Sequence, residues 1–135
     1  KPSYSYRAKK IVRSIIDHKT YKEVYFFNNN SPLYIPNNFS IHSLNQVVCE
    51  CFYSDNWHFY DIPQTRIDHN DILLDCGAAE GLFSFINEKK CKKIYLIEPA
   101  IEFSIAIIPY SDSLLTTDLT RLSKVKHSFN SNESK

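Results

Sequence analysis

The 135-residue chain contains no methionine and only two glycines, Gly77 and Gly81. Without methionine there is no initiator, so the chain is expected to begin downstream of one. With so little glycine, backbone freedom is concentrated at a single place. No apolar run approaches the ~18 residues of a membrane-spanning helix, which excludes a span. An excess of either charge is also missing. The formal net charge is +1, which argues against a dedicated nucleic-acid binder. No N-terminal segment has the apolar stretch of a secretory signal. Cysteine is sparse as well: Cys49, Cys51, Cys76 and Cys91 include one C-x-C but no second pair of matching spacing. A zinc site is therefore not expected, and the four are read as reduced thiols of a cytoplasmic protein.

What is present suits a folded domain. Hydrophobic residues make up 43% of the chain and charged residues 23%, so there is enough apolar surface to build a core. Residues 5–21 carry Ala8, Ile11, Val12, Ile15 and Ile16 at helical spacing, with Arg7, Lys9, Lys10 and Arg13 between them, and predict a helix. Residues 24–27 and 33–35 predict a small hairpin across an Asn/Ser/Pro turn. Residues 43–53 can be read as a helix or a strand, and the helix is favoured because Leu44, Val47, Val48, Cys51 and Phe52 share one helical face. Trp57 to Ile62 reads as an aromatic strand ended by Pro63. Beyond residue 110 the chain is rich in Ser, Thr, Lys and Asn, and disorder is expected from Lys126 onward. The predicted organisation is a lead-in of mixed α and β over 1–54, a nucleotide-cofactor unit over 55–110, and a polar tail over 111–135.

The informative stretch runs from residue 72 to residue 99. Ile72-Leu73-Leu74 and Ile94 to Ile97 are continuous apolar runs, the pattern of strands buried on both faces of a parallel sheet. Between them lie a turn holding both glycines and a short helix over about 81–89. This is a βαβ unit, expected to cross over right-handedly. Its turn exposes backbone N–H groups to a ligand. Glu98 ends the second strand, twenty-one residues after Gly77, where a carboxylate can accept from two adjacent ribose hydroxyls. An adenosine-type cofactor follows. Aligned on Gly77, the third glycine of the dinucleotide pattern G-x-G-x-x-G falls at Leu82, which weighs against NAD. The looser G-x-G-x-G fits better, with Gly77 and Gly81 outside and Ala79 in the middle, and selects S-adenosylmethionine.

The stretch Asp71-Ile72-Leu73-Leu74-Asp75-Cys76-Gly77-Ala78-Ala79-Glu80-Gly81-Leu82-Phe83-Ser84 resembles the first cofactor motif of FkbM-type S-adenosylmethionine-dependent methyltransferases. Lys93-Ile94-Tyr95-Leu96-Ile97-Glu98-Pro99 resembles their second motif, and Trp57 to Pro63 resembles the lead-in strand of some members. The resemblance covers roughly residues 55 to 100. It implies a Rossmann-like α/β domain that transfers a methyl group, usually to a hydroxyl of a sugar or secondary metabolite, so the partner is a small-molecule or glycan acceptor. By position, Asp75, Gly77, Ala78 and Gly81 would shape the methionine side of the site, Glu98 would hold the ribose, and Pro99 would shape the loop beside it; Ala79 and Glu80 are counted with them as cofactor-binding residues of the same turn, Glu80 standing where many relatives carry a different residue. Only two of the five to seven strands of such a domain are visible, so the domain is read as incomplete, with weak or absent catalysis alone. No catalytic residue is assigned; His58, Asp61 and Glu80 are candidates for a base. The rival readings are a fragment of a nicotinamide-dependent oxidoreductase and a non-catalytic remnant or interaction module.

Overall fold

The structure, a computed structural model, describes residues 2–100 and residue 103. The polar tail expected over 111–135 lies outside the described residues. What is described is a mixed α/β arrangement: a three-stranded antiparallel sheet, a two-stranded parallel sheet and three helices.

Helix α1 is short, Tyr4–Ala8, and begins where Ser3 Oγ accepts from the Tyr6 N–H. The helix predicted to continue to residue 21 stops here. The chain instead forms strand β1, Val12–Asp17, antiparallel to β2, Tyr21–Phe26. The reason lies in the pairing. A bulge between Val12 and Ser14 shifts the register, so that Val12 faces Phe26 and Ile15 faces Val24. Both partners are core residues. A bulge inserts one extra residue on its strand, which turns the period-2 alternation of a strand into a three-residue spacing that imitates a helix. The β-branched side chains of Val12, Ile15 and Ile16 favour the extended form.

The predicted hairpin is present. β2 pairs antiparallel with β3, Leu33–Pro36, with Val24 opposite Leu33. Helix α2, Ile41–Phe52, is capped by Ser40, whose Oγ accepts from the Ser43 N–H at 2.9 Å. Its buried face carries Leu44, Val48 and Cys49. The aromatic run after it is not the expected strand. Residues 57–58 form a turn and 59–62 run on as irregular chain, with Phe59 N–H bonded to Asn56 O and His58 N–H to Asn56 Oδ1. The asparagine side chain gives the backbone a local partner in place of a strand ladder. Trp57 is 84% exposed, and Tyr60 stands edge-on to Phe83.

The βαβ unit is as the sequence predicts in order and pairing. Strand β4, Ile72–Cys76, is followed by α3, Leu82–Asn87, and by β5, Lys93–Ile97, which pairs parallel to β4 with Asp75 beside Leu96. The expectation that both faces are buried is corrected. Ile94 is 2% exposed, whereas Ile72 and Leu74 are 61% and 58% exposed, so one face of the pair is open. The cause is the partner set: α3 packs into the interior, and no second layer covers the other face among the described residues. Leu82 and Phe85 of α3 enter the same hydrophobic cluster as Val24, Phe26, Leu33, Ile35, Leu44 and Val48. That shared core fixes the 77–81 loop, which lies immediately before Leu82, against the antiparallel sheet and α2. All four cysteines are free. No helix among the described residues is long and apolar enough to cross a membrane.

Candidate functional site

The site is the 77–81 loop at the end of β4, together with Glu98 just past β5. Parallel pairing puts Cys76 beside Ile97, so both strand ends open on the same edge. The loop first wraps the end of β5: the N–H groups of Gly77 and Ala78 both donate to Ile97 O, at 2.7 and 3.3 Å. It then turns back, with Gly81 N–H donating to Ala78 O at 2.7 Å. Three alternate residues adopt left-handed φ: Gly77 at 76°, Ala79 at 48° and Gly81 at 75°. Glycine takes that conformation freely, whereas alanine is strained in it by about 1–2 kcal/mol. Ala79 therefore has the backbone shape of the middle glycine in G-x-G-x-G without being glycine. A Cβ placed on Gly77 would meet nothing within 4 Å. Its constraint is the dihedral angle, and the space in front of it is open.

Glu98 holds this turn from the neighbouring strand. Its Oε2 accepts from the Ala79 N–H at 2.6 Å and its Oε1 from the Ala100 N–H at 2.7 Å. A carboxylate has roughly four acceptor positions, so each oxygen keeps capacity for a further donor. Asp75, the penultimate residue of β4, accepts from Ser84 Oγ at 2.6 Å and ties the strand to the first turn of α3. Burial raises the Asp75 acid above its ordinary value; the Ser84 bond opposes this and the Glu98 charge adds to it.

Glu80 is the unusual member. It is 7% exposed, and burial pushes its carboxyl up to about 7, with its own backbone N–H opposing and the charges of Asp75, Glu50 and Glu98 adding. On the α2 side Cys51 is pushed up to about 12, by burial first and then by Glu80, Glu50 and Asp75. It is an unreactive neutral thiol.

The structure thus brings Asp75, Gly77, Ala78, Ala79, Glu80, Gly81 and Glu98 together, with Pro99 exposed beside them. Of the three base candidates, Glu80 lies in the loop, and His58 and Asp61 are paired with other residues. His58 Nδ1 lies 3.3 Å from Glu50 Oε1, and Asp61 Oδ2 lies 3.8 Å from Lys90 Nζ. Glu50 and Cys51 were not singled out as site residues by sequence reasoning. They reach the loop only because α2 packs on α3, which no spacing within α2 reveals. A separate cavity of about 520 Å³ is lined by α1, the start of α2 and residues 55–57, and none of the loop residues lines it. Among the described residues no cluster suited to a metal ion is found. No family model, no curated protein and no solved structure matches the chain.

Proposed function

We propose that residues 72–99 form the cofactor-binding βαβ unit of a Rossmann-like S-adenosylmethionine-dependent methyltransferase, acting on a hydroxyl of a small molecule or glycan. The observation that carries this reading is the contact of Glu98 with the 77–81 loop across the ends of two parallel strands. That crevice at the strand ends is where an α/β sheet binds nucleotides. The open front of Gly77 admits a ligand to bare backbone. The spare acceptor capacity of Glu98 suits the two hydroxyls of a ribose.

Charge favours this cofactor over the dinucleotide. Asp75 and Glu98 gather at the loop, and the charge of Glu98 acts on Asp75. Carboxylates repel a pyrophosphate and attract a sulfonium cation. Leu82, fully buried in the core, occupies the place of the third dinucleotide glycine. Methyl transfer from a sulfonium needs chiefly alignment of acceptor, methyl and sulfur. The chain's own contribution is to fix the loop and the acid that hold the donor.

The test is calorimetric titration with S-adenosylmethionine, S-adenosylhomocysteine and NAD. Saturable heat with the first two and none with NAD supports the reading. Heat with NAD alone selects the oxidoreductase. Silence with all three leaves a remnant without this cofactor.

A further inference from the structure

Glu80 has no role in the binding scheme just given. The residue is 7% exposed and is set between two left-handed residues, Ala79 and Gly81. The charged and titratable groups that face it are Asp75 from β4, Glu50 and Cys51 from α2, and Glu98 from beyond β5. Its own backbone N–H opposes the rise that burial causes. Glu50 is itself held by Gln46 Nε2 at 3.0 Å and by His58 Nδ1 at 3.3 Å, so that cationic or donor capacity is spent one residue away.

A carboxylate cannot stay in such a place at low cost. Ionised, it has lost its water, and its neighbours carry the same sign. Neutral, it packs as a polar but uncharged side chain. The flanking backbone supplies the means of release. Ala79 is strained in its present conformation and relaxes on leaving it. Gly81 turns freely.

We propose that Glu80 is a proton-operated latch on the 77–81 loop: as the neutral acid it stays inside and holds the loop closed, and on giving its proton to water it swings outward and the loop loosens. The bonds lost are those the closed loop makes, namely Ala79 N–H to Glu98 Oε2 and Gly81 N–H to Ala78 O. The same bonds shape the crevice. The latch is a property of the free loop and holds whichever ligand the crevice takes.

Amide hydrogen exchange reads it directly on the free protein. After correction for base-catalysed intrinsic exchange, protection of the Ala79 and Gly81 amides is expected to fall about tenfold between about pH 6 and about pH 8, the change set by an acid that titrates normally once released. Amides of β2 keep their protection, since only the loop opens. In Glu80→Gln the loop amides show no such fall. In Glu50→Gln, with one opposing charge removed, the fall levels off at lower pH and is smaller between about pH 6 and about pH 8, because Glu80 now ionises less reluctantly inside and gains less by leaving. Loop protection that is independent of pH in the wild type overturns the proposal. So does an equal fall in Glu80→Gln, or a parallel loss at β2. If Glu80→Gln does not fold, the Glu50→Gln displacement decides the matter, and an unmoved profile there refutes the latch.

Discussion

The Glu98 carboxylate and the Ala79 backbone N–H meet at 2.6 Å, joining the end of one parallel strand to the turn that follows its neighbour. The acid thereby shapes the loop before any ligand arrives. Glu98→Ala is expected to weaken S-adenosylmethionine binding by roughly 1–3 kcal/mol, the scale of a lost charged hydrogen-bond partner. Calorimetry on the variant and wild type measures it. Unchanged affinity removes the ribose role from Glu98.

Ala79 offers a gain of stability. Its φ of 48° is left-handed, and replacing it with glycine removes that strain while increasing the freedom of the unfolded chain. The balance for Ala79→Gly is a stabilisation of about 0.5–1 kcal/mol. An increased urea midpoint at constant slope is the expected outcome. A lower midpoint shows that the residue is at ease there.

Glu80 gives stability a pH dependence of definite sign. Folding raises its acid from 4.5 to about 7, so the folded protein keeps a proton that the unfolded chain gives up. Its contribution is whole below the unfolded value and is lost as pH climbs through the folded value. The loss is at most about 3 kcal/mol, and less where the side chain escapes to water. Urea melts at acidic and neutral pH should show wild type losing more stability across this window than Glu80→Gln. Asp75, whose acid is also raised, adds a change of the same sign in both proteins.

The open face of β4 separates two leucines. Leu82 is fully buried and joins α3 to the core, whereas Leu74 is 58% exposed. Leu82→Ala is expected to cost about 2–5 kcal/mol. Leu74→Ala should change stability by within about 0.5 kcal/mol. Thermal or urea melts of both variants check the contrast, and a large loss at Leu74 means that this face is covered.

Much of the candidate site was legible because its signals are local. Two glycines four apart, a buried apolar run before them and an acid after the next run suffice to place Glu98 at the loop, since parallel pairing leaves little choice of register. The α2 helix was legible for the same reason, with Leu44 and Val48 on one face. Three features were not. The bulge at Val12 and Ser14 gave a strand the spacing of a helix. Asn56 drew the start of the aromatic run 57–62 into a turn that its β propensity does not announce. The apolar pattern of β4 measures hydrophobicity, and cannot say whether a second layer covers Ile72 and Leu74. Glu50 and Cys51 reach the loop through tertiary packing alone, which is why the setting of Glu80 became visible only in the fold.

The central claim is that the 77–81 loop and Glu98 form one cofactor crevice, and amide chemical-shift mapping with S-adenosylmethionine tests it most directly. Saturable shifts concentrated at Gly77, Ala79, Gly81 and Ala100, with β1 and β2 undisturbed, are the predicted result. A saturating titration that leaves those amides unmoved, or moves only residues elsewhere, contradicts it.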